Sequence, residues 1–304
     1  MEFSIRLKHG KRRPRVLDGH PWVFAGEIDR ATLPPEGEAD GTGVALEDPK
    51  GRFLGAGIYN RASQILWRRY SHERIAFDEA FLDRALRLAI NQRAGEPFCR
   101  LCWSEADGIP GLVVDRFDDL AVVQAQTLAV DRQLASVAAI LQAGLAPADI
   151  IYRNDAPTRA KEGLGLSVTT GSGTDPGPRV FTIDGLACEL DLMHAQKTGF
   201  YLDQRPQHRA VAEHAPGRRV LDCFCNQGTF ALQAKKAGAA ETIGLDSSPD
   251  AIAQARANAA RNGLEAAFYE DNVFDWFTAN RGERFDLIVL DPPSFARNKR
   301  AMAG

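Results

Sequence analysis

From Arg218 onward one pattern repeats and leaves few choices of fold. A short apolar run ends in an acidic residue, and a helical pattern follows it. Val220-Leu221 runs into Asp222 and the loop Cys223-Phe224-Cys225-Asn226-Gln227-Gly228, ahead of an Ala/Leu-rich stretch over 229–237. Thr242-Ile243-Gly244-Leu245 ends in Asp246, and a helix is predicted over 249–262, with Pro249 in its first turn and Gly263 past its end. A third run ends near Asp271 and precedes a predicted helix over 273–280. Leu287-Ile288-Val289-Leu290 then runs into Asp291-Pro292-Pro293. Strands alternating with helices build a parallel sheet, and open sheets of this kind bind ligands beyond the carboxyl ends of their strands. Asp222, Asp246, Asp271 and Asp291 are therefore expected along one edge.

The loop after the first strand narrows the ligand. A dinucleotide site needs several glycines there, so that backbone N–H groups can reach a pyrophosphate. Residues 223–230 hold only Gly228, which disfavours a nicotinamide dehydrogenase. A cofactor without phosphates fits better. S-adenosylmethionine (SAM) carries an adenosine, a sulfonium cation and an amino-acid tail. Asp246 is expected to accept the ribose hydroxyls, Asp271 with Asn272 to meet the adenine edge, and Asp222 to face the positive methionine end. Phe224, Asn226, Gly228 and Ser247 complete the expected loop contacts. Taken singly, each acid reads equally well as a helix cap or a solvated turn.

The preceding residues divide into two further regions. Residues 1–72 show short strands broken by Pro/Gly turns, with Val44–Glu47 and Phe53–Tyr59 flanking Asp48-Pro49-Lys50-Gly51 and another strand over Ile65–Tyr70. A small β-barrel-like module is expected. Residues 73–178 predict an α+β domain. Asp78 caps a helix over 78–93, strands follow near 100–104, 111–115 and 120–126, then a helix over 131–143 and a strand over 149–153. Residues 157–177 are expected as a loop. Val180–Ile183 and Ala187–Leu192 form a hairpin across Asp184-Gly185, which opens a third domain over 179–304.

Several segments carry a resemblance. His20-Pro21-Trp22-Val23-Phe24 with Gly26-Glu27-Ile28, Asp107-Gly108-Ile109-Pro110-Gly111-Leu112-Val113-Val114-Asp115, Lys197 through Arg205, and Asp291-Pro292-Pro293-Ser294-Phe295 occur in order. Together they resemble class I SAM-dependent methyltransferases of large-subunit ribosomal RNA, typified by cytosine-5 enzymes with an N-terminal PUA domain. The resemblance spans residues 2–300. One departure is local: the family often has Ser-Tyr-Thr-Gly-Gly where this chain has Cys225-Asn226-Gln227-Gly228. The resemblance implies a PUA-like domain, a central α+β domain and a Rossmann-like methyltransferase sheet. It also implies that Lys197, Gln204 and Arg205 flank the cofactor, the last two near its carboxylate. A basic helix start that packs a domain junction is the plainer alternative for these three.

Charge bears on the partner. Residues 1–74 carry 13 Lys/Arg against 10 Asp/Glu, whereas residues 75–217 carry 13 against 19. The excess gathers at Arg6, Lys8, Lys11, Arg12, Arg13 and Arg15, just before Trp22. With the resemblance, Lys8, Lys11, Arg12, Arg13 and Trp22 are expected to meet RNA through phosphate contact and base stacking. Charge alone would leave them a solvated loop. A homodimer is compatible with the chain. No apolar stretch approaches a membrane span, and five irregularly spaced cysteines suit a reducing compartment, so a cytoplasmic protein is expected. Cys99 and Cys102 form a lone C-x-x-C, read as structural rather than metal-binding.

The chemistry poses a problem. Carbon 5 of cytosine is a poor nucleophile until a thiolate adds to C6. The resemblance puts that cysteine downstream of Asp291-Pro292-Pro293, past residue 304, and no cysteine here follows Cys225. The Asp-Pro-Pro segment is expected beside the target base, although Ser294 stands where an aromatic would suggest an exocyclic amine target. Residues 296–304 hold no hydrophobic run. The expectation is a sheet whose fourth strand lacks its usual neighbour, in a chain shortened at its C-terminus and less stable for it. Guanine N7 methylation and a non-catalytic RNA-binding role are the alternatives.

Overall fold

The computed structural model describes residues 1–10, 13–194 and 199–293. These form two compact units. One comprises Met1–Gly177 with Asp191–Leu202, the other Pro178–Leu190 with Asp203 onward.

The first unit holds two sheets. Strands β1 (Ser4–Arg6), β2 (Trp22–Val23), β3 (Thr42–Glu47), β4 (Phe53–Tyr59) and β5 (Trp67–Ser71) pair in the order β1-β3-β4-β5-β2. A bridge between Leu7 and Ile28 ties the β1 edge to the segment after β2, with Lys8 N–H donating to Glu27 O at 2.9 Å and Asp29 N–H to Arg6 O at 2.8 Å. The strand order thus curls back on itself around Trp67, which is fully buried and donates its indole N–H to Val44 O at 2.9 Å. Gly57 leaves room for that ring, since a Cβ there would lie 2.2 Å from it.

The second sheet begins after α1 (Glu79–Gln92), which Asp78 caps by accepting from Phe81 N–H at 2.9 Å. It contains β6 (Phe98–Trp103), β7 (Leu112–Phe117) and β8 (Leu120–Ala125), then α2 (Leu128–Asp131), α3 (Leu134–Leu145), β9 (Asp149–Asn154) and β10 (Ser167–Thr170). The order is β10-β9-β8-β7-β6, and β8 and β9 run parallel. Leu82, Leu86 and Ile90 of α1 join Val137, Ile140 and Leu141 of α3 over Leu101, Leu112, Val114 and Val123. Two expectations change here. The helix expected over 131–143 is divided into α2 and α3, and the expected loop over 157–177 contains β10, which pairs antiparallel with β9. Three of the four residues of Ser167-Val168-Thr169-Thr170 are polar and the strand is a sheet edge, so its hydrophobic signal is faint.

The second unit opens with the hairpin of β11 (Arg179–Ile183) and β12 (Leu186–Leu190), whose turn residues Asp184 and Gly185 both have positive φ, 48° and 76°. Then come α4 (Arg205–His214), β13 (Arg219–Cys223), α5 (Thr229–Lys236), β14 (Glu241–Asp246), α6 (Pro249–Arg261), β15 (Ala267–Glu270), α7 (Val273–Ala279) and β16 (Leu287–Leu290). The last four strands form a parallel sheet ordered β15-β14-β13-β16. All four carboxyl ends therefore lie on one edge. Among the described residues no helix is long and apolar enough to cross a membrane.

Candidate functional site

Across that edge the acids follow the strand order Asp271, Asp246, Asp222, Asp291. Asp246 ends β14, Asp271 and Asp291 directly follow β15 and β16, and Asp222 sits one residue inside β13. Among the described residues none of the four carboxylates joins an ion pair with a basic side chain.

Asp222 is almost wholly buried, at 1% exposure, and accepts from Ala231 N–H at 3.1 Å. Burial pushes its carboxyl up to about 8; the Ala231 N–H opposes this, and the charges of Asp246 and Asp291 add to it. A carboxyl driven toward its neutral form by burial, with other carboxylates beside it, is suited to receive positive charge. Asp246 accepts from Asn226 N–H and Ser248 N–H, each at 2.9 Å and each on a different oxygen. Each oxygen keeps a second lone pair.

The loop between β13 and α5 is bent by three left-handed residues, Phe224 (φ 60°), Asn226 (φ 49°) and Gly228 (φ 82°). Glycine at 228 meets two demands, because a Cβ there would also lie 2.8 Å from the Phe268 ring. Cys225 N–H donates to Leu245 O at 2.8 Å, and the Asn226 side chain accepts from Gln227 N–H at 2.6 Å. Buried Asn258 of α6 donates to Gln227 O at 3.3 Å and so steadies the loop from behind. Its only mark in the sequence is one polar side chain on the inner face of an alanine-rich helix.

At the β15 end, Asp271 N–H donates to Asp246 O at 3.0 Å. Asn272 proves to be the cap of α7, its oxygen accepting from Phe274 N–H at 2.9 Å and Asp275 N–H at 3.4 Å. Ser247 is exposed, while Ser248 caps α6. Phe224 meets the exposed Phe274 edge to face at 6.5 Å, an aromatic neighbour that sequence reasoning missed.

On the opposite flank Gln204 donates to Asp291 at 2.6 Å, joining two expected site residues, and Pro292 and Pro293 follow in an exposed segment. The Arg205 guanidinium forms a bidentate pair with Asp184 of the β11–β12 turn, through Nε at 2.8 Å and one terminal nitrogen at 2.6 Å. Nearby His208 was not anticipated. It is buried edge-on against Phe230, and burial pushes its imidazole down to about 4. Lys197, expected beside the cofactor, lies outside the described residues, as do Lys11 and Arg12.

In the first unit Lys8 is exposed and Arg13 pairs with Asp18 at 2.9 Å. Trp22 is half-buried, with its indole N–H donating to Glu105 at 2.6 Å and the Arg68 guanidinium against one face of its ring. No thiol is poised to be a nucleophile. Burial raises all five, Cys188 and Cys223 to about 11, Cys102 to about 12, and Cys99 and Cys225 upward as well. Among the described residues no cluster of His, Cys, Asp and Glu suits a metal ion.

Comparison with known proteins gives this arrangement its context. Residues 5–72 match the PUA-like domain family, and residues 175–303 match the S-adenosylmethionine-dependent methyltransferase family. The chain is similar to a solved Streptococcus mutans protein provisionally named a SAM-dependent methyltransferase, with TM-score 0.77, 19% identity, and coverage of 96% of this chain and 77% of that one. It is similar in fold to SMU.776, solved in complex with SAH, with TM-score 0.78, 20% identity and coverage of 98% and 77%. Among curated relatives, Ribosomal RNA large subunit methyltransferase I of Shigella boydii serotype 18 is 36% identical over 99% of this chain and 79% of its own length. The protein of that name from Escherichia coli K12 is 35% identical over the same shares. The chain belongs to the ribosomal RNA large subunit methyltransferase I family and is a SAM-dependent methyltransferase.

Proposed function

We propose that the protein methylates carbon 5 of an unpaired cytosine in large-subunit ribosomal RNA, binding SAM along the Asp271–Asp246–Asp222–Asp291 edge. The observation that carries the reading is that edge: four carboxylates at the ends of four adjacent parallel strands, unpaired with basic side chains among the described residues. The names of the curated relatives support ribosomal RNA as substrate. The domain division 1–72, 73–178 and 179–304 is part of the same reading.

The cofactor, when bound, supplies an electrophilic methyl carbon. Asp246 uses its remaining lone pairs on the ribose hydroxyls. Asp271, with the amide nitrogen of Asn272 that the α7 cap does not use, takes the adenine edge. Asp222 faces the cationic methionine end, where a positive ligand draws its carboxyl toward the charged form. Phe224, Asn226, Gly228 and Ser247 shape the loop that the cofactor crosses. Gln204 holds Asp291, and Asp291-Pro292-Pro293 orients the target base. That base must be unpaired or swung out of its helix to enter. Lys8 and Arg13 contribute to RNA contact on the reading of the N-terminal module. The C6 nucleophile is assigned to none of the five thiols in residues 1–304, since burial keeps each protonated.

Tritium transfer from labelled SAM to ribosomal RNA, followed by nucleoside analysis, tests the reading. Label in 5-methylcytidine is the expected outcome. Label in another nucleoside refutes the target atom, and ribosomal RNA that neither takes up label nor binds the protein refutes the substrate.

A further inference from the structure

The four tryptophans occupy different surroundings. Trp67 and Trp276 are core residues, Trp22 is half-buried and hydrogen-bonded, and Trp103 is 49% exposed. Trp103 ends β6, the edge strand of the central sheet, just after a bulge between Arg100 and Cys102. The bulge puts Leu101 and Cys102 both into the core and returns Arg100 and Trp103 to the opposite face, across from Asp115 and Val113.

On that face the indole is held still. The Arg100 guanidinium lies 4.3 Å from the ring centroid and is itself clamped by fully buried Asp115 through bonds of 2.9 and 3.1 Å. Trp103 N–H donates to Asp107 at 2.6 Å, and Asp107 is gripped by both terminal nitrogens of Arg93. The next residue, Ser104, has φ of 48°, a costly conformation for a side chain other than glycine. It is fixed there by Gly111 N–H donating to its hydroxyl at 2.7 Å and by its own bond to Glu105. Glu105 also receives the Trp22 indole N–H and lies 3.3 Å from Arg68. Burial works against the charge of Glu105, but bonds from Ser104 and Trp22 and the charge of Arg68 hold its carboxyl below the usual range.

A large exposed aromatic would ordinarily fold down onto the surface. Here two bidentate Arg–carboxylate pairs, a strained serine and a bulge keep it presented. We propose that Trp103 is a stacking platform for an unpaired base of the RNA substrate. A ring backed by a guanidinium favours a second flat π surface on its open side, and Arg93 and Arg100 are already neutralised, so the contact is with a base rather than a phosphate. The inference rests on the ribosomal RNA reading above and adds a contact on the second sheet of the first unit.

The test measures affinity of the full chain and its Trp103→Ala and Trp103→Phe variants for a single-stranded fragment of large-subunit ribosomal RNA, with thermal melting as the check on folding. Stacking contributes about 1–3 kcal/mol per base, so Trp103→Ala is expected to weaken binding roughly 5- to 150-fold, with Trp103→Phe recovering most of the loss and melting unchanged. Equal affinity of all three proteins overturns the proposal while leaving the substrate reading intact, and points the ring toward a protein partner. Equal weakening by both variants also overturns it, by marking the indole as structural. Failure of the parent chain to bind RNA removes the substrate reading and this proposal together.

Discussion

The two units use carboxylates in opposite ways. Around Trp103 and Trp22, Glu105 and Glu162 share Arg68, Asp107 faces Arg93, and Asp115 faces Arg100, so each buried acid has its guanidinium. Along the parallel sheet, Asp222, Asp246, Asp271 and Asp291 stand side by side with backbone N–H groups and a glutamine for company, and Asp222 is driven toward its neutral form. Paired acids fix a shape. Unpaired acids crowded on one edge hold a free energy that a positively charged ligand releases. The first arrangement is internal scaffolding, and the second is a receptor.

That contrast can be broken at its strongest point first. Asp246→Ala removes two acceptors that no other side chain replaces, and each charge-assisted bond contributes about 1.5–3 kcal/mol, so SAM affinity measured calorimetrically should fall by at least ~100-fold. Unchanged affinity would end the receptor reading. On the scaffolding side, Glu162→Ala removes one of the two carboxylates on Arg68 and leaves Asn60 and Ser63 without the carboxylate they donate to. A loss of about 3 kcal/mol in urea unfolding of the first unit is expected, with SAM affinity unaltered. Gly228→Ala forces a Cβ onto Phe268 in a left-handed turn and should cost about 2 kcal/mol of stability while also weakening SAM binding.

The smallest effect concerns pH. Burial holds the folded carboxyl of Asp222 near 8, above its ordinary value of 3.8, so the folded state binds its proton more tightly. Stability from this group is present below the lower value and is lost as pH rises through the upper one. Asp222→Asn should therefore match the parent near pH 4 and be the more stable of the two near pH 9 in ligand-free unfolding. No difference between the two pH values would remove Asp222 from the comparison.

Much of this was legible in the sequence because the relevant signals are local. The Asp184-Gly185 turn, the Asp78 cap and the run of strand, acid and helix each depend on residues near one another, and the structure has them at those positions. Parallel pairing then aligns the four acids without further information. What stayed hidden depends on partners far away in the chain. Nothing beside Arg205 announces that Asp184, 21 positions earlier, will take its guanidinium. Trp22 reads as an exposed aromatic among basic residues until Glu105, 83 positions later, takes its N–H. Strand β10 escaped because an edge strand with hydroxyls at three of its four positions buries too little to leave a pattern.

The β11–β12 hairpin has a consequence for anyone who cuts this protein. Residues 178–190 belong with the sheet, yet residues 191–202 return to the first unit before the chain joins the sheet again. The hairpin is fastened by Asn262 to both backbone groups of Ala187, by Gln254 to Glu189 O, and by Arg205 to Asp184. On the ribosome Arg205 emerges 21 residues after Asp184, but Gln254 and Asn262 follow their partners by 65 and 75, so the hairpin is only partly moored until α6 is made. A chimera spliced at a single seam near residue 203 would orphan it, and a graft that respects the topology needs three joins, at 177/178, 190/191 and 202/203.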